Sequence, residues 1–215
     1  MQRIKDPLSY FFSKSKLELE GKILRIDKEK EIKKLKDLNA IIVFQGVVTS
    51  EYWYGHPKNI FVTNFLQEAI RINNYKDHWV RLRIMHDLNG KKIYSAETKF
   101  KWEENTRIEI GSIIEEKRWI ELRENYEKTS FLKEREIKSR EIYILPGKNG
   151  EEYRSGIEYN LDHIFNPVIL PGYLEIEADC IESFIEALDI MEINDLQVKF
   201  ISCKKLIYPD SNSDS

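Results

Sequence analysis

The chain has 215 residues, with 34 basic and 37 acidic side chains and a net charge of −3. At 41% hydrophobic and 12% aromatic it holds too much apolar material for a disordered segment, and it is long enough for one domain with a full core. The near-cancellation of charge excludes a polybasic nucleic-acid binder by composition. No apolar run reaches the roughly 18 residues of a membrane-spanning helix.

Residues 1–16 read as an N-terminal extension. Lys5, Asp6 and Lys14 interrupt any apolar stretch, so no secretory signal is expected. Residues 17–208 read as one domain, and 209–215 as a polar, flexible tail. Cys180 and Cys203 have neither metal-type nor redox-type spacing and are expected as reduced thiols of a cytoplasmic protein.

Alternation of apolar and polar residues predicts strands over Leu17–Ile26, Ala40–Thr49, Trp79–Met85, Ile93–Trp102, Arg135–Leu145, Glu158–Ile164 and Tyr173–Asp179. Helical spacing appears in Lys28–Leu38, Ile113–Tyr126 and Ile181–Met191, and Asn59–Ile72 fits either period. Asn89-Gly90 and Lys148-Asn149-Gly150 each mark a hairpin. Mostly strands with helices inserted between them predict an α+β fold, an antiparallel sheet or barrel with peripheral α-helices.

The strands place their charges in a pattern. Side chains alternate across a strand, so Glu18, Glu20 and Lys22 share one face while Leu17, Leu19 and Ile23 share the other. The same split recurs at Arg81/Arg83, at Glu97/Lys99/Lys101, at Lys138/Arg140, at Asp162 and at Glu175/Glu177. A half-buried sheet with its polar face in water explains any one of these strands. Taken together they point elsewhere, because each charged face tends to one sign and the aliphatic faces need cover from the helices. The sheet is then expected to close with its charges inward, which also removes exposed edges.

Charges taken from water need partners or a ligand. The inward acids are Glu18, Glu20, Glu109, Asp162, Glu175 and Glu177; the inward bases are Lys22, Arg81, Arg83, Lys99, Lys101, Lys138 and Arg140. Clustered carboxylates suit a hard divalent cation, Mg²⁺ or Mn²⁺. Clustered Arg and Lys suit phosphate oxygens. The joint ligand is a metal-bound polyphosphate, a small-molecule partner.

In chain order these residues resemble the CYTH superfamily, the triphosphate tunnel metalloenzymes. Glu18-Leu19-Glu20-Gly21-Lys22 matches its ExExK signature. Arg81-Leu82-Arg83, Glu97-Thr98-Lys99 with Lys101, Arg107-Ile108-Glu109, Lys138 with Arg140, Asp162, and Leu174-Glu175-Ile176-Glu177 follow in the family's order. The resemblance spans roughly residues 17 to 206. It implies a closed eight-stranded antiparallel β-barrel, a tunnel with helices packed outside.

It also implies residue roles. Glu18, Glu20, Glu175 and Glu177 would hold the metal, assisted by Asp162 and Glu109. Arg81, Arg83, Lys99 and Arg140 would bind phosphates, supported by Lys22, Lys101 and Lys138. Glu18, Glu20, Lys22, Glu175 and Glu177 form the expected catalytic set, and Lys199 is the candidate for the family's C-terminal lysine. Gly21 replaces a longer residue within ExExK but would point outward, and Gly111 stands where another acid often falls. Tyr52, Trp53, Tyr54 and Trp79 are expected in the core, or stacked on an organic end of the substrate.

The implied function is metal-dependent hydrolysis of inorganic triphosphate, a nucleoside triphosphate or thiamine triphosphate. The alternatives are a class IV adenylate cyclase making cyclic AMP from ATP, an RNA 5′-triphosphatase, a non-catalytic polyphosphate or nucleotide sensor, and a structural domain with a solvated charged face. His56, His78, His86 and His163 do not have metal-triad spacing, and His163 falls on the outer face. No Gly-rich phosphate loop is present, which disfavours a P-loop or Rossmann site.

Overall fold

A computed structural model describes residues 15–55, 80–101, 106–147, 153–154, 156–201 and 206–207. Among them are nine strands: β1 (Ser15–Leu24), β2 (Ile41–Gly55), β3 (Val80–Asp87), β4 (Lys92–Lys101), β5 (Thr106–Ile114), β6 (Ser130–Ile144), β7 (Ile157–Asn166), β8 (Tyr173–Ala178) and β9 (Val198–Lys199). Three helices join them: α1 (Lys28–Asp37), α2 (Glu116–Thr129) and α3 (Ile181–Ile190). The fold is α+β, built on one mostly antiparallel sheet.

Pairing runs β5-β4-β3-β2-β6-β7-β8-β1-β9, and β1 also pairs with β5. Leu19 stands opposite Ala178 on one edge of β1 and opposite Thr106 on the other. The second half of that latter edge pairs with β9, where Lys22 stands opposite Lys199.

The helices cover one face of the sheet. α1 starts at Asp27, whose carboxylate accepts from Lys30 N, and carries Glu29 and Glu31 in its first turn and Lys34 and Lys36 in its last. Both placements suit the helix dipole. Leu35 of α1 and Phe184, Ala187 and Leu188 of α3 pack on Leu19, Tyr159, Leu174 and Ile176. α2 brings Trp119, Leu122 and Tyr126 onto Trp53, Leu82 and Ala96.

Gly21 lies on this covered face. A Cβ there would come 2.5 Å from Phe184 Cζ and 2.7 Å from Val198 Cγ1. The glycine therefore lets α3 seat closely on β1. Gly21→Val is expected to overpack this contact and cost about 1–3 kcal/mol. Thermal unfolding would read that as a fall of roughly 2–4 °C per kcal/mol.

Most predicted elements are present with shifted ends. The Asn89-Gly90 hairpin forms: Asp87 Oδ1 accepts from Asn89 N and Lys91 N, both at 2.8 Å, and Gly90 adopts φ +80°. The helix expected from Ile113 begins at Glu116, because Ile113 and Ile114 end β5. The alternation of β5 is hidden where Gly111 and Ser112 interrupt it, and β9 is too short to show any. The 59–72 segment and the 148–150 turn lie outside the described residues. Among the described residues no helix is long and apolar enough to cross a membrane.

Candidate functional site

The face away from the helices carries the charge. Lys22, Arg81, Arg83, Lys138, Arg140, Glu97, Glu136, Glu158, Asp162, Glu175 and Glu177 are each buried. Strand register, not sequence proximity, brings them together, and it does so in rows. Glu20 pairs with Glu177, which pairs with Glu158. Lys22 pairs with Glu175, which pairs with Asn160. Asp162 pairs with Arg140, Glu136 with Ser50 and then Arg83, and Arg81 with Glu97.

Arg140 is the hub of one cluster. Its Nε donates to Asp162 Oδ1 at 2.7 Å, and its Nη2 donates to Asp162 Oδ2 and to Glu175 Oε1, each at 2.6 Å. Lys138 Nζ donates to Asp162 Oδ2 at 2.8 Å, and the Tyr173 hydroxyl donates to the same oxygen at 3.2 Å. Lys22 Nζ lies 2.7 Å from Glu175 Oε2 and also contacts Glu20. Asn160 Nδ2 bridges Glu158 Oε1 at 2.9 Å and Glu177 Oε1 at 3.0 Å.

A second cluster surrounds Glu97. Arg81 Nε donates to Glu97 Oε2 at 2.7 Å, Arg81 Nη2 contacts the same oxygen, and Ser95 Oγ donates to Oε1 at 2.7 Å. Arg81 Nη2 also reaches Glu109 Oε1 at 3.3 Å. Gly111, opposite Glu97 on β5, leaves room for this side chain: a Cβ there would come 2.6 Å from Glu97 Cγ. The glycine thus admits an acid from the neighbouring strand.

Electrostatics follows the pairing. Burial alone would raise the Asp162 carboxyl, but the Arg140 and Lys138 charges and the Arg140 hydrogen bonds outweigh it and hold it below its ordinary value. Glu97 is lowered likewise, burial being overcome by Arg81 and Arg83. A carboxyl depressed by folding stabilises the fold above its unfolded value, and that contribution is lost as pH falls through the folded one. Unfolding midpoints are therefore expected to hold level above about pH 5 and to drop progressively below about pH 4. Asp162→Asn should flatten that drop, as thermal melts across a pH series would record.

The polar face ends in an apolar one. Val48, Met85, Ile93, Ile142 and Ile144 continue the same strand faces beyond the charges and pack together. The charged stretch is therefore bounded by hydrophobic contact at the end near the β3–β4 hairpin.

Of the expected site residues, Glu20, Lys22, Arg81, Arg83, Glu109, Lys138, Arg140, Asp162, Glu175 and Glu177 all enter these clusters. Glu18 stands in β1 opposite Arg107, Lys99 in β4 opposite Glu109, and Lys101 opposite Arg107; the side chains of these three lie outside the described residues. Lys199 is exposed. His163 falls away from the site, its ring 4.7 Å from that of Phe165. Trp53 is core, stacked on Tyr126 at 6.1 Å, and Tyr52 stands opposite Arg81. The Tyr54 side chain and Trp79 lie outside the described residues. Glu97, Glu136, Glu158, Asn160 and Ser50 were not among the expected site residues. Period-two counting back from Lys99, Lys138 and Asp162 reaches Glu97, Glu136 and Glu158, and is the sequence signal that marks them.

Among the described residues, no group of three or more His, Cys, Asp or Glu side chains is arranged to hold a metal ion. The acids are turned to bases instead. The row Glu20–Glu177–Glu158 aligns three carboxylates on adjacent strands. Like charges directly opposite one another are destabilising without a counter-charge.

No family model matches the chain, and no curated protein matches it. Solved structures do. The chain is similar to the PH1819 protein of Pyrococcus horikoshii at 17% identity and TM-score 0.59, over 90% of this chain and 99% of that one. A conserved hypothetical protein of Pyrococcus furiosus gives 16% and 0.60 over 88% and 99%. A candidate adenylate cyclase of Vibrio parahaemolyticus gives 13% and 0.59 over 90% and 99%. At these identities the likeness concerns the fold.

Proposed function

We propose that this chain is a CYTH-type triphosphate tunnel enzyme, a divalent-metal-dependent hydrolase of triphosphate compounds. In this reading β1 to β8 close into a barrel through the β1–β5 pairing, and the charged face lines its lumen. The supporting observation is that buried face itself: five bases and six acids, each under a tenth exposed. Burying so many ions costs several kcal/mol apiece before pairing, and apolar replacements of such pairs are often neutral or better for stability. A chain selected for stability alone has little reason to keep them, whereas a chain that binds a polyanion together with a cation has one.

Arg81, Arg83, Lys138 and Arg140 would grip the phosphate oxygens, with the guanidinium forks of the arginines matching phosphate geometry. Lys22 and the lysines at 99 and 101 would add charge. Asp162, saturated by Arg140, Lys138 and Tyr173, is best placed to hold the basic wall in position. Glu20, Glu175 and Glu177, with Glu158 beside them and Glu18 two residues before Glu20, would hold Mg²⁺ or Mn²⁺. A bound cation of this kind supplies charge neutralisation on the phosphate and activation of water. Phosphoryl transfer needs little covalent help from protein, so positioned charge of this kind is the main requirement. A glutamate outside the cation's shell would accept the proton of the attacking water.

Cyclisation of ATP is the second reading, favoured by the structural likeness to a candidate adenylate cyclase. One assay separates the two. The chain is incubated with tripolyphosphate, ATP and thiamine triphosphate, with Mg²⁺ or Mn²⁺, and every product is scored. Orthophosphate release is expected. Cyclic AMP with pyrophosphate would transfer the conclusion to the cyclase, and no metal-dependent product from any compound would contradict both.

A further inference from the structure

Buried polar groups are nearly always hydrogen-bonded, and each exception calls for an explanation. Three exceptions stand in one row of the polar face: Glu136 on β6, Ser50 on β2 and Arg83 on β3 are directly opposite one another. Glu136 is 1% exposed, and among the described residues neither of its oxygens accepts a hydrogen bond. Ser50 is fully buried, and among the same residues its Oγ has no partner, nor has Arg83 Nε. The ion pairs nearby are long: Lys138 Nζ lies 3.5 Å from Glu136 Oε1, and Arg83 Nη1 lies 3.3 Å from Glu97 Oε1.

The other buried acids of this face differ. Glu97, Glu158, Asp162, Glu175 and Glu177 each accept at least one side-chain hydrogen bond. Among the described residues Glu136 is thus the buried acid of this face that accepts no hydrogen bond, with only the long Lys138 pair beside it.

The chemistry of the row selects its occupant. An ionised carboxylate only accepts, Arg83 Nε only donates, and a serine hydroxyl does either. A phosphate placed here would face the Glu136 charge. A ligand that donates from nitrogen at one point and accepts at the next meets all three groups. Glu136 is two residues from Lys138 along β6, about 6–7 Å at strand rise. A group there would be within reach of phosphates held by Lys138 and Arg140. Inorganic triphosphate presents oxygens alone and leaves the Glu136 capacity unmet.

We propose that Glu136 and Ser50, beside the Arg83 Nε that the phosphate grip leaves over, form a specificity subsite for the organic end of a triphosphate ester bearing a nitrogen hydrogen-bond donor. The subsite rests on the reading of the charged face as a triphosphate site, and it favours an organic substrate over the inorganic one.

The test compares wild-type protein with Glu136→Leu, which keeps approximate volume and removes the acceptor. Each is titrated calorimetrically, with Mg²⁺, against tripolyphosphate, thiamine triphosphate and ATP. Wild type is expected to bind thiamine triphosphate or ATP more tightly than tripolyphosphate. Glu136→Leu should cut that preference by about tenfold or more, and bind tripolyphosphate no more weakly. An unchanged preference, as would follow if water alone satisfies Glu136, overturns the subsite while tripolyphosphate binding keeps the wider reading intact. Absence of binding to every compound by wild type overturns both. Should Glu136→Leu fail to fold, Ser50→Ala removes only a hydroxyl, and a preserved preference in that variant likewise counts against the proposal.

Discussion

Arg140→Ala is expected to be among the most destabilising single changes in the chain, lowering stability by about 3–5 kcal/mol. The reason is what it strands. Arg140 gives two hydrogen bonds to Asp162 and one to Glu175, and all three residues are under 5% exposed. Lys138 and Tyr173 still reach Asp162, and Lys22 still faces Glu175, but the shared counter-charge between them is gone. At roughly 2–4 °C per kcal/mol for a chain of this size, the melting temperature should fall by about 10 °C or more. Arg140→Ala combined with Asp162→Asn should recover part of that loss, since groups sharing one network are not additive. A fall of only one or two degrees would show that water reaches this cluster freely.

The second large effect separates function from stability. Glu177→Gln is expected to lower metal-dependent triphosphate turnover by about 10²–10³-fold while leaving the melting temperature level or higher. Glu177 stands directly between Glu20 and Glu158. Neutralising the central carboxylate relieves repulsion on both sides, and Gln can still accept from Asn160 Nδ2, which now donates to Glu177 Oε1 at 3.0 Å. A residue kept for the fold would lower stability when changed; a residue kept for a cation should lower only activity. Loss of stability without loss of metal dependence would assign Glu177 a structural role.

Much of this site is legible in the sequence because strand alternation is a strict code. Period two places Arg81 and Arg83, Lys138 and Arg140, and Glu175 and Glu177 on single faces, and each of these pairs lies within one continuous strand of the structure. The same rule reaches Glu136 and Glu158, but each is followed on its face by a base or an amide, Lys138 and Asn160, rather than by a second acid, so the sequence pattern marks it less. Which residues meet across strands was not legible. The bonds of Arg140 to Asp162 and Glu175 span 22 and 35 residues, and only register fixes them. The register shift between Ile137 and Lys138 moves β6 against β7 by an amount no local pattern encodes. Short or Gly-interrupted strands were hardest: β9 has two residues, and β5 passes through Gly111.

In the proposed function one enclosed set of side chains takes a triphosphate and a divalent cation together. Calorimetric titration of tripolyphosphate into the protein, with and without Mn²⁺, and of Mn²⁺ with and without tripolyphosphate, tests this. Binding of one triphosphate per chain is expected, strengthened by the cation, with the cation strengthened by the same factor in return, as linkage requires. Correcting for the complex the two form in free solution, independent binding of each, or triphosphate binding no tighter than that of sulfate, would contradict it.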